Sequence, residues 1–324
     1  MRTLEFHSAL APQIRNFISL RQLSGTDYQS QALLLSYFDR FLVEEKFEAS
    51  CITPQITDRY LLTLSHLAPR VQSNRFCVVQ QLCRYLLRHD PLTYVPEPIR
   101  VIASQAAHQP YIYNQREIGA LLAAAAELRP PGSLRPLTYR TLLGLLYSTG
   151  IRIGEALALN LENFLCAEER LYIVEGKFRK ARWVPLSTTT CQALQQYLDR
   201  RLRIKPRSPD SPLLLNQRSR RLHHVTVNLT FRQLLRRCAI PHNEHAGPRI
   251  HDLRHTFAVH RLLAWYRDGQ DVNARLPWLA TYLGHVDIHS TQVYLRATPE
   301  LTEEVARRFH DYYLQQIQTN GGQS

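Results

Sequence analysis

One stretch of this chain departs from the helical period that governs most of the rest, and it limits the fold more than any other feature. Residues 171–186, LYIVEGKFRKARWVPL, hold two short β-prone runs on either side of a basic turn at Gly176–Lys180. That pattern predicts an antiparallel hairpin. Leu213–Leu215 is a further short strand candidate. Elsewhere the apolar period is helical. Residues 28–44 set Leu33, Leu34, Tyr37, Phe38 and Phe41 on one stripe, as an amphipathic helix requires. Thr53-Pro54 opens another helix, since proline is tolerated at its first positions. Residues 71–88, VQSNRFCVVQQLCRYLLR, form a further amphipathic helix with several arginines on the polar side. The expected class is mainly α, with one small antiparallel β-hairpin sheet.

At 324 residues the chain is long enough for two cores. The stretch HDPLTYVPEPIRVIASQAAHQP carries four prolines and no clean period. It is the best linker, at residues 89–111, between a helical domain at 1–90 and a second domain at 112–324. Beyond it, Asn114 and Glu117 make a capping-box pair that opens a helix running through Leu128. The next helix runs from about Leu137 to Ser148 and stops at Thr149-Gly150, with Arg152 directly after the stop. Gly154–Leu157, 188–202 and 224–238 are helical, and helices continue from Arg249. A C-terminal tail begins near 297, and Val305, Phe309 and Tyr312 recur in it at helical spacing.

The net charge of +13, from 40 Lys plus Arg against 27 Asp plus Glu, suggests a polyanion partner, with nucleic acid the first candidate. Only Lys46, Lys177, Lys180 and Lys205 are lysines. The arginine excess suits bidentate phosphate contacts. No run of eighteen apolar residues and no strongly basic amphipathic anchor is present, so no membrane association is expected. The start, MRTLEFHSALAPQIRNF, lacks a secretory apolar stretch. The expected location is the cytoplasm, in association with the nucleoid. The six cysteines show no CxxC pair and read as reduced thiols. Cys238, His242 and His245 lie close in sequence but lack a fourth ligand at standard spacing, and Pro241 and Pro248 mark a loop there. No metal site is expected.

Four pieces remain: Arg152 after a helix stop, Lys177 in the hairpin turn, HDLRH at 251–255, and His285 nine residues before Tyr294. Each alone has an ordinary reading: a surface arginine, a solvated lysine, a polar helix face, a partly buried tyrosine. HDLRH is not the zinc motif HExxH, because Asp252 stands second and Arg254 would set a cation beside the metal. Together, in the stretches TGIRIGEALAL (149–159), VEGKFRKARWVPLS (174–187), HDLRHTFAVH (251–260) and LGHVDIHSTQVYL (283–295), they resemble the tyrosine recombinases, or phage integrase family. The resemblance covers about residues 112–300. The N-terminal part fits as the helical core-binding domain that partners this catalytic domain, the two forming a clamp around DNA.

The resemblance implies a site-specific DNA recombinase that works through a 3′-phosphotyrosyl intermediate, such as an integrase or transposon recombinase of a mobile element. It makes Arg152 and Arg254 the phosphate clamps, Lys177 the general acid, His251 and His285 supporting imidazoles, and Tyr294 the nucleophile. Phe178 stands where the family commonly has glycine, which leaves Lys180 as the alternative acid. His255 and Asp252 are read as packing and hydrogen bonding within their helix. Tyr282, Tyr312 and Tyr313 are close in sequence but not at the family distance from His285. The residue types suit the chemistry. Fixed guanidiniums stabilise charge on the non-bridging oxygens, a lysine of lowered pKa can protonate the leaving 5′-oxygen, and an imidazole can take the phenol proton. No metal and no cofactor is implied. The implied partners are double-stranded DNA and further copies of the chain, as a tetramer in the synaptic complex, with room for accessory recombinases. Two rivals use the same residues differently: a type IB-like topoisomerase acting on single sites, and a catalytically inactive DNA-binding regulator.

Overall fold

The structure, a computed structural model, describes residues 4–99, 110–174, 181–205, 208, 210–242, 247–284, 291, 303, 304, 306, 307 and 310. The chain divides into two compact units, Met1–Ala107 and His108–Ser324.

The first unit is built from α1 (Ala11–Leu23), α2 (Gln29–Glu44), α3 (Pro54–Thr63) and α4 (Pro69–Leu86). The sequence put the start of α4 at residue 71. The helix begins two residues earlier because Pro69 takes the first position, where its missing N–H would have had no helical partner. The predicted stripe of α2 is only partly the buried face. Phe38 and Phe41 are in the core, whereas Leu33 is exposed. The core joins Leu10, Ile14, Phe17, Leu35, Phe38, Tyr60 and Leu82, and Phe38 meets Tyr60 edge-on at 4.8 Å. Asp39 is buried on α2, and its carboxylate accepts the backbone N–H of His7 at 2.8 Å and of Ser8 at 3.1 Å. The proline-rich stretch after α4 lies on this unit. Gln80 Nε2 donates to the Pro96 carbonyl at 2.7 Å, and the Tyr94 N–H donates to the Ile52 carbonyl at 2.8 Å.

The second unit comprises α5 (Gln115–Ala126), α6 (Leu134–Thr149), α7 (Ile153–Ala158), β1 (Phe164–Leu165), β2 (Arg170–Ile173), β3 (Arg182–Pro185), α8 (Thr188–Ile204), α9 (His224–Arg237), α10 (Asp252–Arg267) and α11 (Val272–Leu283). The capping box at α5 forms as expected: Glu117 N–H donates to Asn114 Oδ1, and Asn114 N–H to Glu117 Oε2, each at 2.9 Å. Helix α6 starts three residues before the expected Leu137, with Pro136 inside its first turn. It is the hub of the core, burying Leu142, Leu143, Leu145 and Leu146. A separate cluster of Phe257, Leu262, Leu276 and Leu283 joins α10 to α11.

The β2–β3 hairpin is present and antiparallel, pairing Leu171 with Val184, Tyr172 with Trp183 and Ile173 with Arg182. Its turn, 175–180, lies outside the described residues. A two-residue strand, β1, extends it to an antiparallel sheet ordered β1-β2-β3. No alternation signal exists in so short a segment. Leu213–Leu215 is no ladder strand. It is fully buried, and its backbone groups are satisfied one at a time: Leu213 N–H by the Leu159 carbonyl at 2.8 Å, Leu215 N–H by Tyr197 Oη at 2.9 Å, and the Leu215 carbonyl by Thr138 at 3.0 Å. Among the described residues no helix is long and apolar enough to cross a membrane.

Candidate active site

Helix α6 ends on Gly150 in the left-handed region, at φ 62°. A Cβ there would lie 2.4 Å from the Phe257 ring, so a side chain is excluded by both strain and contact. This tight stop delivers Arg152 to the start of α7. Its Nη1 donates to Glu155 Oε1 at 2.9 Å, and its Nη2 donates to the Gly284 carbonyl at 3.1 Å. Arg254, on the first turn of α10, is 2% exposed. Its Nη1 donates to the Gly150 carbonyl at 2.8 Å, and its Nη2 to the Leu283 carbonyl at 2.6 Å. Two guanidiniums from distant parts of the chain are therefore fastened to the C-terminal end of α11. The last carbonyls of that helix have no helical donor and carry the negative end of its dipole.

Glu155 organises the cations. Its side chain is 4% exposed and accepts from Arg152 and from Arg182 of β3. Burial alone would raise its carboxyl, but the hydrogen bonds and charges of Arg182 and Arg152 outweigh that and hold it below the usual carboxylate range. His251 stands at the N-cap of α10 with an exposed face. Desolvation, then the positive charges of Arg254 and Arg152, push its imidazole below the ordinary value, with Glu155 pulling the other way. Its ring meets His255 edge-on, with centroids 5.1 Å apart. Asp252 is buried, and its carboxylate accepts the Arg249 N–H at 2.8 Å from the turn before its helix. Tyr282 stacks on Phe257 at 5.6 Å, and burial pushes its phenol up to about 12, as suits a packing residue.

The structure thus brings Arg152, His251 and Arg254 into one neighbourhood. Lys177, with its alternative Lys180, and His285 and Tyr294 lie outside the described residues, as do Phe178, Tyr312, Tyr313 and His245. The described chain ends its α11 segment at Gly284, one residue before His285. Sequence reasoning missed Glu155 and Arg182 as parts of the site. Glu155 had a signal, a carboxylate three positions after Arg152 in a first helical turn, where it accepts the Arg152 N–H at 2.9 Å. Arg182 had none beyond its place in a β-prone run. Among the described residues no group of three metal-ligating side chains occurs.

Residues 113–300 match the family model described as phage integrase family. The chain is 37% identical over 310 residues to "Putative integrase/recombinase y4rB" of Sinorhizobium fredii (strain NBRC 101917 / NGR234), covering 93% of this chain and 97% of that one. It is 28% identical to tyrosine recombinase XerD of Bifidobacterium longum (strain NCC 2705), over 88% and 90% of the two chains. In fold it is similar to the Tn1549 transposon integrase in complex with a circular intermediate DNA, with a TM-score of 0.64 at 15% identity, covering 92% and 99% of the chains. It is also similar to the XerH site-specific recombinase bound to its palindromic difH substrate, with a TM-score of 0.62 at 19% identity over 86% and 78%. With the family model matching more than half of its length and a relative this similar end to end, the chain belongs to the phage integrase family, the tyrosine recombinases.

Proposed function

We propose that the chain is a site-specific DNA recombinase of a mobile element that breaks and rejoins duplex DNA through a 3′-phosphotyrosyl intermediate. The observation that carries this reading is the pair of guanidiniums, Arg152 and Arg254, held rigidly at the end of α11 just before His285. Cations fixed in this way stabilise charge on a phosphate's non-bridging oxygens without reorganising during the reaction. In the proposed step, the Tyr294 phenolate oxygen bonds to phosphorus as the bond to the 5′-oxygen breaks. Lys177 gives that oxygen its proton, and His251 or His285 takes the phenol proton. Rejoining reverses each transfer, so no external energy source is needed. The unit before the linker at 89–111 serves as core-binding domain and grips the same duplex as the catalytic unit at 112–324. Four copies act together in the synaptic complex, in the cytoplasm at the nucleoid. The DNA complexes formed by the similar transposon integrase and XerH support this reading.

The test uses nicked duplexes tiled from the DNA flanking the gene, in which the cleaved fragment diffuses away and traps the intermediate. A covalent protein–DNA band on a denaturing gel is expected with the natural chain. Tyr294→Phe should bind the same duplexes and give no band. A band that persists with Tyr294→Phe refutes the nucleophile assignment.

A further inference from the structure

We infer that Arg182 is a positioning residue that, through Glu155, keeps Arg152 both aimed and electrostatically available for the scissile phosphate. The inference rests on the reading of Arg152 as a phosphate clamp. Arg182 sits opposite the buried Ile173 in the hairpin register, and its side chain is 11% exposed. Its fork is fully engaged on Glu155: Nη1 donates to Oε1 at 3.1 Å and Nη2 to Oε2 at 2.8 Å. Its Nε donates to the Tyr282 carbonyl at 2.9 Å. These three bonds leave it committed to the protein rather than to a substrate. They also tie β3, the strand that follows the Lys177 turn, to the last turn of α11. The room for this contact is reserved by Gly284, at φ 68°, where a Cβ would lie 3.1 Å from Arg182 Nη1.

Arg182 contributes charge balance as well as packing. One buried carboxylate is shared between two guanidiniums, so the trio keeps a net positive charge facing the site. Without Arg182, the full charge of Glu155 falls on Arg152 alone. A buried carboxylate that has lost one partner draws the remaining one closer. Arg152 would then be both displaced and neutralised, and its pull on a phosphate anion weakened.

A substrate change separates this role from simple support of the fold. Replacing a non-bridging oxygen of the scissile phosphate with methyl makes the group neutral, so the transition state no longer needs the Arg152 charge. Single-turnover cleavage would be measured on the phosphodiester and on the methylphosphonate, for the natural chain and for Arg182→Gln, Arg182→Lys and Arg152→Ala. Arg182→Gln should cleave the phosphodiester about 100-fold more slowly, the scale of loss for a misplaced catalytic group. On the methylphosphonate it should come within about fivefold of the natural chain, as should Arg152→Ala, because the missing electrostatic stabilisation is no longer required. Arg182→Lys keeps the charge without the fork and should fall between. An equal defect of Arg182→Gln on both substrates, with Arg152→Ala recovered, overturns the inference and leaves Arg182 a structural residue. So does an unchanged phosphodiester rate, or the failure of both Arg182 variants to melt cooperatively. If Arg152→Ala itself does not recover, the clamp reading of Arg152 fails first and the inference falls with it.

Discussion

Lysine 177 carries a proton assignment that substitution chemistry can isolate. Guanidinium holds its proton too firmly to serve as the acid, so Lys177→Arg should rescue cleavage poorly. Lys177→Ala should slow cleavage by about 100-fold or more, the usual worth of a general acid. A substrate with sulfur in place of the bridging 5′-oxygen releases a thiolate that leaves without protonation. On it, Lys177→Ala should approach the natural rate while Arg152→Ala stays defective. Rescue of Lys180→Ala instead would move the acid to Lys180. His251 makes a pH prediction. Its imidazole is lowered from 6.5 by desolvation and by Arg254 and Arg152. A base whose folded value lies below its unfolded one contributes stability that is present above pH 6.5 and is lost as pH falls from there toward the folded value. The acid limb of the cleavage rate should therefore lie below pH 6.5, and His251→Gln should abolish it. An unchanged limb in the variant would assign that titration to another group.

At the scale of elements, the site depends on how helices stop. Gly150 ends α6 and Gly284 ends α11, both in the left-handed region, and the carbonyls of Gly150, Leu283 and Gly284 receive Arg152 and Arg254. Gly150→Ala combines left-handed strain with a Cβ 2.4 Å from Phe257. It should destabilise the fold by about 2–5 kcal/mol, the sum of those two costs. Urea denaturation measures this, and a midpoint unchanged from that of the natural chain would show that the α6–α10 contact yields freely. Elements also mark where periodicity stops being informative. Leu33 lies on the predicted α2 stripe yet is exposed, because the stripe gives a face but not what lies against it. Leu213–Leu215 reads as a strand by residue type, yet its backbone partners are Tyr197, Thr138 and Leu159, supplied by tertiary packing.

For the whole molecule, an excess of arginine over-reports the phosphate contacts. Arg201 is fully buried, donating to the Lys205 and Pro212 carbonyls and to Ser211 Oγ. Arg221 donates to the Leu157 and Leu159 carbonyls, and Arg182 is spent on Glu155 and Tyr282. These arginines support the fold. DNA affinity should still fall steeply with salt, by a slope of about −0.9 in log K against log salt for each phosphate neutralised. Filter binding between low and moderate salt would measure it, and a flat plot would remove the duplex grip. Arg201→Met should leave that slope unaltered, since its guanidinium has no access to solvent.

The sequence by itself determined the helical class, the single hairpin, the family and the order of the site pieces, because each is written in local period or in residue type at fixed spacing. It placed Arg152 just past a helix stop and Arg254 within a helical segment, and both are there. It did not reveal that both arginines end on the carbonyls of α11, or that Glu155 is shared with Arg182. Those contacts span 27 to 132 residues of chain. Distance along the chain carries no trace of which buried carbonyl lacks a donor. Only the packed structure decides that, because only there does leaving a polar group unpaired become costly.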